Sequence, residues 1–220
     1  MTTERWSAGT ELYKRKWLQQ TGYGTAHFEK WHVGMASGKR KKPSLQDHGF
    51  YYWFGLSNGA HPNHRNPTNF MRNGKPVGPM KGYSCQIVVS DAINWLKTKA
   101  NPDQPVFVNI WCNEPHSKLA APDEITSIYG DLKDEGALYS ATVDNTDRAI
   151  GRLVAKLKET GKLDNTLIIY SSDHGSYRTD RNGELTGNKG AHDQGGLRSP
   201  RIVVWHDGAS GVPIDSPPSG

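Results

Sequence analysis

Three short polar segments in this 220-residue sequence each follow an apolar run, and their residue types suit chemistry better than burial. Lys30 and His32 follow the β-rich residues 23–28. His116 closes Asn113-Glu114-Pro115-His116 after residues 105–111, and Asp173-His174-Gly175 follows residues 165–171, with Lys189 further on. Lys30, Lys189, His32, His116, His174 and Asp173 together offer two lysines, three histidines and a carboxylate. Ammonium and imidazole groups neutralise a tetrahedral oxyanion, and an Asp-His pair can ligate a metal. Fixed positive charge where oxyanion charge develops is usually the largest catalytic contribution, about 3 kcal/mol per donor. Lys30 and His32 are two apart, so on an extended chain they face the same side. Taken singly, each has a plainer reading: a surface lysine, a packed or loop histidine, a turn aspartate accepting backbone N–H groups. Their joint position after β-rich runs is what favours chemistry.

The elements that must position these residues alternate between strand and helix. Residues 23–28 read as a strand with Tyr23, Thr25 and His27 on one face. Residues 34–83 carry Pro43, Pro62, Pro67, Pro76 and Pro79 with many Gly and Asn, and read as a long irregular excursion of the kind that is usually functional. His61, His64 and Arg65 fall inside it as residues of a solvated loop. Residues 85–99 are expected as a helix capped by Ser84, with Val88, Ala92, Trp95 and Leu96 as its apolar stripe. Residues 139–160 read as the strongest helix, presenting Val143, Ile150, Leu153, Val154 and Leu157 and stopped by Gly161. Residues 165–171 read as a strand buried on both faces, and 201–205 as another short strand. This alternation predicts an α/β fold, a three-layer α/β/α sandwich around a mostly parallel mixed sheet. In such sheets ligands collect at the carboxyl ends of strands, where the three polar segments lie.

Composition excludes several classes. The net charge of +5 has its densest run at Lys39-Arg40-Lys41-Lys42, but no aromatics interleave with it as single-strand nucleic-acid binding requires. That run reads as a solvated loop, and no nucleic-acid partner is expected. No apolar run approaches the ~20 residues of a membrane span. Two cysteines, Cys85 and Cys112, form no CxxC pair and read as buried thiols, with a single disulfide as the alternative. The first residues show no positive-then-apolar pattern of a signal peptide.

The ordered motifs resemble a known family. Gly22-Tyr23-x-Thr25 leading into Lys30-Trp31-His32-Val33-Gly34 is similar to a signature of the type I sulfatases of the alkaline phosphatase superfamily. The likeness continues through Gly49-Phe50, Asn73-Gly74-Lys75, Asn113-Glu114-Pro115-His116 and Val143-Asp144-Asn145-Thr146-Asp147-Arg148. It runs on through Asp164-Asn165-Thr166, Ser172-Asp173-His174-Gly175 and Gly195-Gly196-Leu197-Arg198-x-Pro200. The resemblance implies an alkaline-phosphatase-like fold and hydrolysis of sulfate esters, with carbohydrate esters as the family-level expectation. It implies a divalent cation, usually Ca2+, held here by Asp173 and His174. Lys30 and Lys189 are expected on the sulfate, His32 on the formylglycine hydroxyl, and His116 on the sulfate and leaving-group oxygen.

Departures from the family pattern are informative. The family's Cys/Ser-x-Pro/Ala-x-Arg motif, whose first residue becomes formylglycine, is absent, as are an upstream Asp-Asp metal pair and a smaller C-terminal subdomain. The expectation is therefore a partial sulfatase catalytic domain over 1–220, inactive alone, from a family that is mostly exported. A phosphate or phosphonate ester hydrolase of the same superfamily, or a catalytically dead anion-binding relative, are the alternatives. Glu29 stands where glycine is usual before the lysine, Gln194 and Ser199 replace the common Glu and Val, and His174 stands where many relatives have Asn.

Overall fold

The computed structural model describes residues 17–32 and 44–205. The basic run at 39–42, Val33 and Gly34, and the proline-rich stretch beyond 205 lie outside the described residues. The chain divides into two compact units, Met1–Leu153 and Val154–Gly220.

In the first unit, strand β1 (Gly24–Lys30) lies between β2 (Tyr52–Leu56) and β5 (Val106–Trp111), parallel to both. Two short strands, β3 (Met71–Arg72) and β4 (Lys75–Pro76), extend the sheet antiparallel, giving the order β4-β3-β2-β1-β5. A strand with parallel neighbours on both edges is buried on both faces. Thr25 through Glu29 are accordingly all buried. Ala26 and Phe28 join Tyr52, Phe54 and Leu56 against Val88, Ala92 and Trp95 of helix α1 (Ser84–Thr98). Full burial of each large side chain contributes about 1.5–3 kcal/mol. A second cluster packs Trp31, Leu45, Phe50 and Trp53 together, and the His27 ring lies against Trp31, Phe50 and Trp111. The α/β class and the mostly parallel mixed sheet are as expected.

The excursion at 34–83 is not wholly irregular. Tyr52-Trp53-Phe54-Gly55-Leu56 inside it is a fully buried strand of the main sheet. Its run of large side chains is a buried-strand signal that the surrounding prolines and glycines mask. Tyr52 also ties β2 to α1. Its hydroxyl donates to Asp91 at 2.6 Å and accepts from Arg72 Nε at 2.9 Å, while Arg72 pairs with Asp91. Burial, followed by the Asp91 contact, pushes the Tyr52 hydroxyl up to about 12.

Both long helices depart in detail from expectation. Ser84 is the first residue of α1 and not its cap, because its N–H donates to the His64 carbonyl at 2.9 Å. Helix α2 (Asp123–Tyr129) precedes the long α3 (Glu135–Glu159). Asp134 supplies the side-chain oxygens for the first turn of α3, accepting from the N–H groups of Gly136 and Ala137. The buried face of α3 carries Ala141, Asn145 and Ala149, while Val143 is 42% exposed. Small side chains win because they let the two helices approach. Ala149 packs on Cys85 and Val89 of α1, and Asn145 Nδ2 donates to Cys85 Sγ at 3.2 Å. Both cysteines are free thiols.

In the second unit, β6 (Ile168–Ser171) pairs antiparallel with β7 (Arg201–Val204). The strand expected to be buried on both faces is instead largely exposed, including Ile169 and Tyr170. Double-sided burial needs layers above and below, and among the described residues β6 pairs with β7 alone. A single 3-10 turn (Thr179–Arg181) and a short helix α4 (Gln194–Leu197) punctuate the loop between these strands. No helix of the described residues is long and apolar enough to cross a membrane.

Candidate active site

At the carboxyl end of β1 the backbone bends sharply. Glu29 adopts φ 74°, and the Trp31 N–H then donates to the Leu56 carbonyl at 2.8 Å. The strand stops at Lys30, so the alternation that would set Lys30 and His32 on one side does not continue through Trp31. Lys30 is half-buried and His32 exposed. His27, three residues before Lys30, fixes this bend. Asn109 Nδ2 lies 3.1 Å from its Nδ1 and can only donate, which leaves the ring proton on Nε2, 3.2 Å from the Lys30 carbonyl. Sequence reading placed His27 on a strand face without a task. The structure makes it the support of the Lys30 backbone.

The register of the parallel pair places Glu29 opposite Trp111, so the segment after β5 leaves the sheet beside Lys30. In that segment the His116 N–H donates to the Asn113 carbonyl at 2.8 Å, closing a tight turn. His116 itself is half-buried, with Nδ1 2.6 Å from the Ser117 carbonyl. Lys30 and His116 thus occupy the carboxyl ends of adjacent parallel strands.

Behind this edge lies a buried polar cluster that sequence reading missed. Glu29, Asn113, Glu114 and His64 are all buried. His64 was expected in a solvated loop, but it is 1% exposed because its loop folds against the start of α1. Burial, reinforced by the charge of Glu114, raises the Glu29 carboxyl well above the ordinary carboxylate range, with the Asn113 N–H and Lys30 opposing in part. Neither Glu29 oxygen makes a well-formed hydrogen bond. Burial also raises the thiols of Cys85 and Cys112, with Glu114 and Glu29 adding to both. The sequence held one clue, a glutamate where the family pattern has glycine.

In the second unit the expected residues share one loop cluster. The Lys189 N–H donates to the Ser176 carbonyl at 2.9 Å, and the Gly175 N–H to the Gly196 carbonyl at 3.1 Å. The segment carrying Asp173 and His174 is thereby bound to both the lysine and the glycine pair. Asn182 organises the cluster by accepting from the Ser176 N–H at 2.8 Å and donating to the Ser176 and Gly187 carbonyls. No motif singled it out. Asp173 is exposed, and its Oδ2 lies 3.3 Å from His174 Nε2.

As a metal site this pair is incomplete. Ca2+ takes about 6–8 oxygen ligands, and Asp173 and His174 bring one carboxylate and one imidazole. Among the described residues no group of three or more His, Cys, Asp or Glu is arranged to hold a metal ion. Formylglycine likewise has no precursor motif around Cys85 or Cys112.

The family model for Sulfatase matches residues 15–218. The chain is 26% identical over 220 residues to the uncharacterized sulfatase YdeN of Escherichia coli (strain K12), covering 89% of this chain and 39% of that protein. It is 26% identical over 227 residues to the ulvan-active sulfatase of Formosa agariphila, covering 94% and 44%. The crystal structure of Ps i-CgsB in complex with k-i-k-neocarrahexaose resembles it with a TM-score of 0.75 and 28% identity, covering 87% of this chain and 46% of that one. The chain spans less than half the length of these relatives. A match that runs through both units and includes Lys30, His32, His116, Asp173, His174 and Lys189 leaves one conclusion: the chain belongs to the sulfatase family.

Proposed function

We propose that this chain supplies part of the catalytic domain of a sulfatase that hydrolyses sulfate esters of a carbohydrate. The observation that carries this reading is the placement of Lys30 and His116 at the carboxyl ends of neighbouring parallel strands in a chain of this family. The names of relatives support the substrate class: an ulvan-active sulfatase, an endo-4-O-sulfatase of Bacteroides thetaiotaomicron, and a structure holding a neocarrahexaose.

In this reading the Lys30 ammonium neutralises a sulfate oxygen and holds the ester in place. His116 contacts the sulfate and the bridging oxygen, where a protonated imidazole can hand its proton to the departing alkoxide. Lys189 adds a second cation toward the sulfate, and His32 orients the hydroxyl of the family's formylglycine. When bound, a divalent cation would add positive charge at the sulfate oxygens, with Asp173 and His174 among its ligands. Each cation stabilises charge that grows as the ester bond breaks, so each contributes more to kcat than to binding.

The test is hydrolysis of an aryl sulfate and an aryl phosphate by the intact protein carrying this chain, with and without Ca2+. Sulfate turnover that falls on the order of 100-fold or more in Lys30→Ala and in His116→Ala supports the reading. Preferential turnover of the phosphate ester points to a phosphoryl hydrolase. Sulfate binding without turnover points to an anion-binding relative.

A further inference from the structure

We propose that His64 is a positioning residue for His116, acting as a buried two-sided clamp on the Glu114-Pro115-His116 segment. Its Nε2 lies 2.8 Å from the backbone carbonyl of His116. A carbonyl can only accept, so Nε2 carries a proton and donates it. On the other side of the ring, Nδ1 lies 3.5 Å from Glu114 Oε1, with both side chains 1% exposed. That same Glu114 oxygen accepts the Cys85 N–H at 2.8 Å in the first turn of α1.

The geometry holds the ring on both sides. The hydrogen bond to the His116 carbonyl fixes Nε2, and Nδ1 faces the Glu114 carboxyl, whose oxygen is tied to α1. Removing the ring leaves buried polar groups of this segment without their partner, which costs about 1–3 kcal/mol for each group. The groups facing the ring and its carboxylate are Glu114 and Glu29, the Cys85 and Cys112 thiols, and the His116 backbone. Burial and the neighbouring Glu114 raise the Glu29 carboxyl, favouring its neutral form in this cluster.

The clamp is itself anchored. The His64 carbonyl accepts the Ser84 N–H at 2.9 Å, and Asn63 Oδ1 accepts the Arg65 N–H at 2.7 Å. The segments that follow β2 and β5 are thereby locked to the start of α1, and the His116 backbone is held by the His64 ring. Misplacing a catalytic group by about 1 Å can cost 100-fold in rate. The catalytic consequence rests on the sulfatase reading above, whereas the clamp does not.

The experiment uses the intact protein with His64→Ala, His64→Gln, His116→Ala and the His64→Ala/His116→Ala double variant. His64→Gln keeps an N–H donor for the His116 carbonyl and gives up the ring nitrogen facing Glu114. Amide hydrogen exchange over 113–117 should accelerate in His64→Ala and partly recover in His64→Gln. In aryl sulfate turnover, kcat should drop on the order of 10- to 100-fold in His64→Ala with KM nearly unchanged. The same substitution should cost less than about twofold when His116 is already alanine, since a positioning residue has nothing left to position. Unchanged exchange at 113–117, or an equal loss of activity with and without His116, overturns the clamp. If the unsubstituted protein hydrolyses no sulfate ester, the functional reading falls while exchange still decides the clamp. If His64→Ala does not fold, the comparison of His64→Gln with the unsubstituted protein decides it by the same exchange.

Discussion

A β-carbon placed on Gly55 would lie 2.0 Å from the carbonyl oxygen of Glu29, its partner across the β1–β2 pair. The cause is the φ of 74° at Glu29, which turns that carbonyl toward the neighbouring strand. Both sides of the contact are backbone inside a parallel sheet, so neither can swing away as a side chain would. Gly55→Ala should destabilise the protein by about 3 kcal/mol, at the upper end of overpacking costs. Urea denaturation followed by tryptophan fluorescence measures it. A midpoint unchanged from the unsubstituted protein would show that β1 relaxes freely at Glu29.

Glu29 itself is the less favourable partner of this pair. A left-handed backbone costs a non-glycine residue about 1–2 kcal/mol, and a buried carboxyl without a well-formed hydrogen bond costs about 1–3 kcal/mol more. Glycine removes both costs and adds only about 0.5–1 kcal/mol of backbone entropy. Glu29→Gly should therefore stabilise the fold at pH 7 by about 1 kcal/mol or more. The pH dependence has a definite sign. Burial raises the folded-state value of the carboxyl above its ordinary 4.5. The folded state then holds the proton longer than the unfolded state, and its stability falls as pH rises from about 4.5 toward the raised value. Unfolding free energies measured between pH 4.5 and 8 should decline in the unsubstituted protein and flatten in Glu29→Gly. Parallel curves for the two proteins would rule out Glu29 as the source.

These two residues also show what the sequence made legible. Glu29 stood out against the family pattern, and the backbone conformation explains why glycine is usual there. The strand ends carrying Lys30, His116 and Asp173 were readable because apolar runs followed by polar residues mark both element type and boundary. His64 was not readable, since burial of a loop histidine depends on contacts with Ser84 and Glu114, 20 and 50 residues away. Strand β2 was hidden among prolines and glycines that dominate local propensity while pairing with β1 decides the outcome. The buried face of α3 was misread because alanine and asparagine carry little hydrophobic signal, yet their small size is what allows Ala149 to meet α1.

Cys85 and Cys112 offer a test of the buried cluster that needs no substrate. Burial, together with Glu114 and Glu29, holds both thiols in the protonated form well beyond the ordinary cysteine range, and the thiolate is the reactive species. Iodoacetamide at pH 8 should modify both slowly in the native protein and rapidly in denaturant. Mass spectrometry of the tryptic peptides reads the two sites separately. Rapid native labelling of Cys85 would mean that the Glu114 cluster opens on the timescale of the experiment.

Gly175 holds the loop cluster of the second unit together through a contact no side chain could enter. Its β-carbon would fall 1.8 Å from the Gly195 carbonyl oxygen, and Gly195 in turn would meet the Gly187 carbonyl at 2.3 Å. Each of these segments carries or adjoins an expected site residue: Asp173 and His174 before Gly175, and Lys189 after Gly187. Gly175→Ala must separate backbone from backbone, breaking the 3.1 Å bond from the Gly175 N–H to the Gly196 carbonyl. Amide exchange across 173–196 should accelerate by an order of magnitude or more, since about 1.4 kcal/mol of lost local stability is a factor of 10. If sulfate binds this cluster through Lys189, its affinity should weaken in the same variant, measured by calorimetric titration with a sulfated oligosaccharide. Accelerated exchange with unchanged affinity would separate the glycine packing from ligand binding and remove Lys189 from the site.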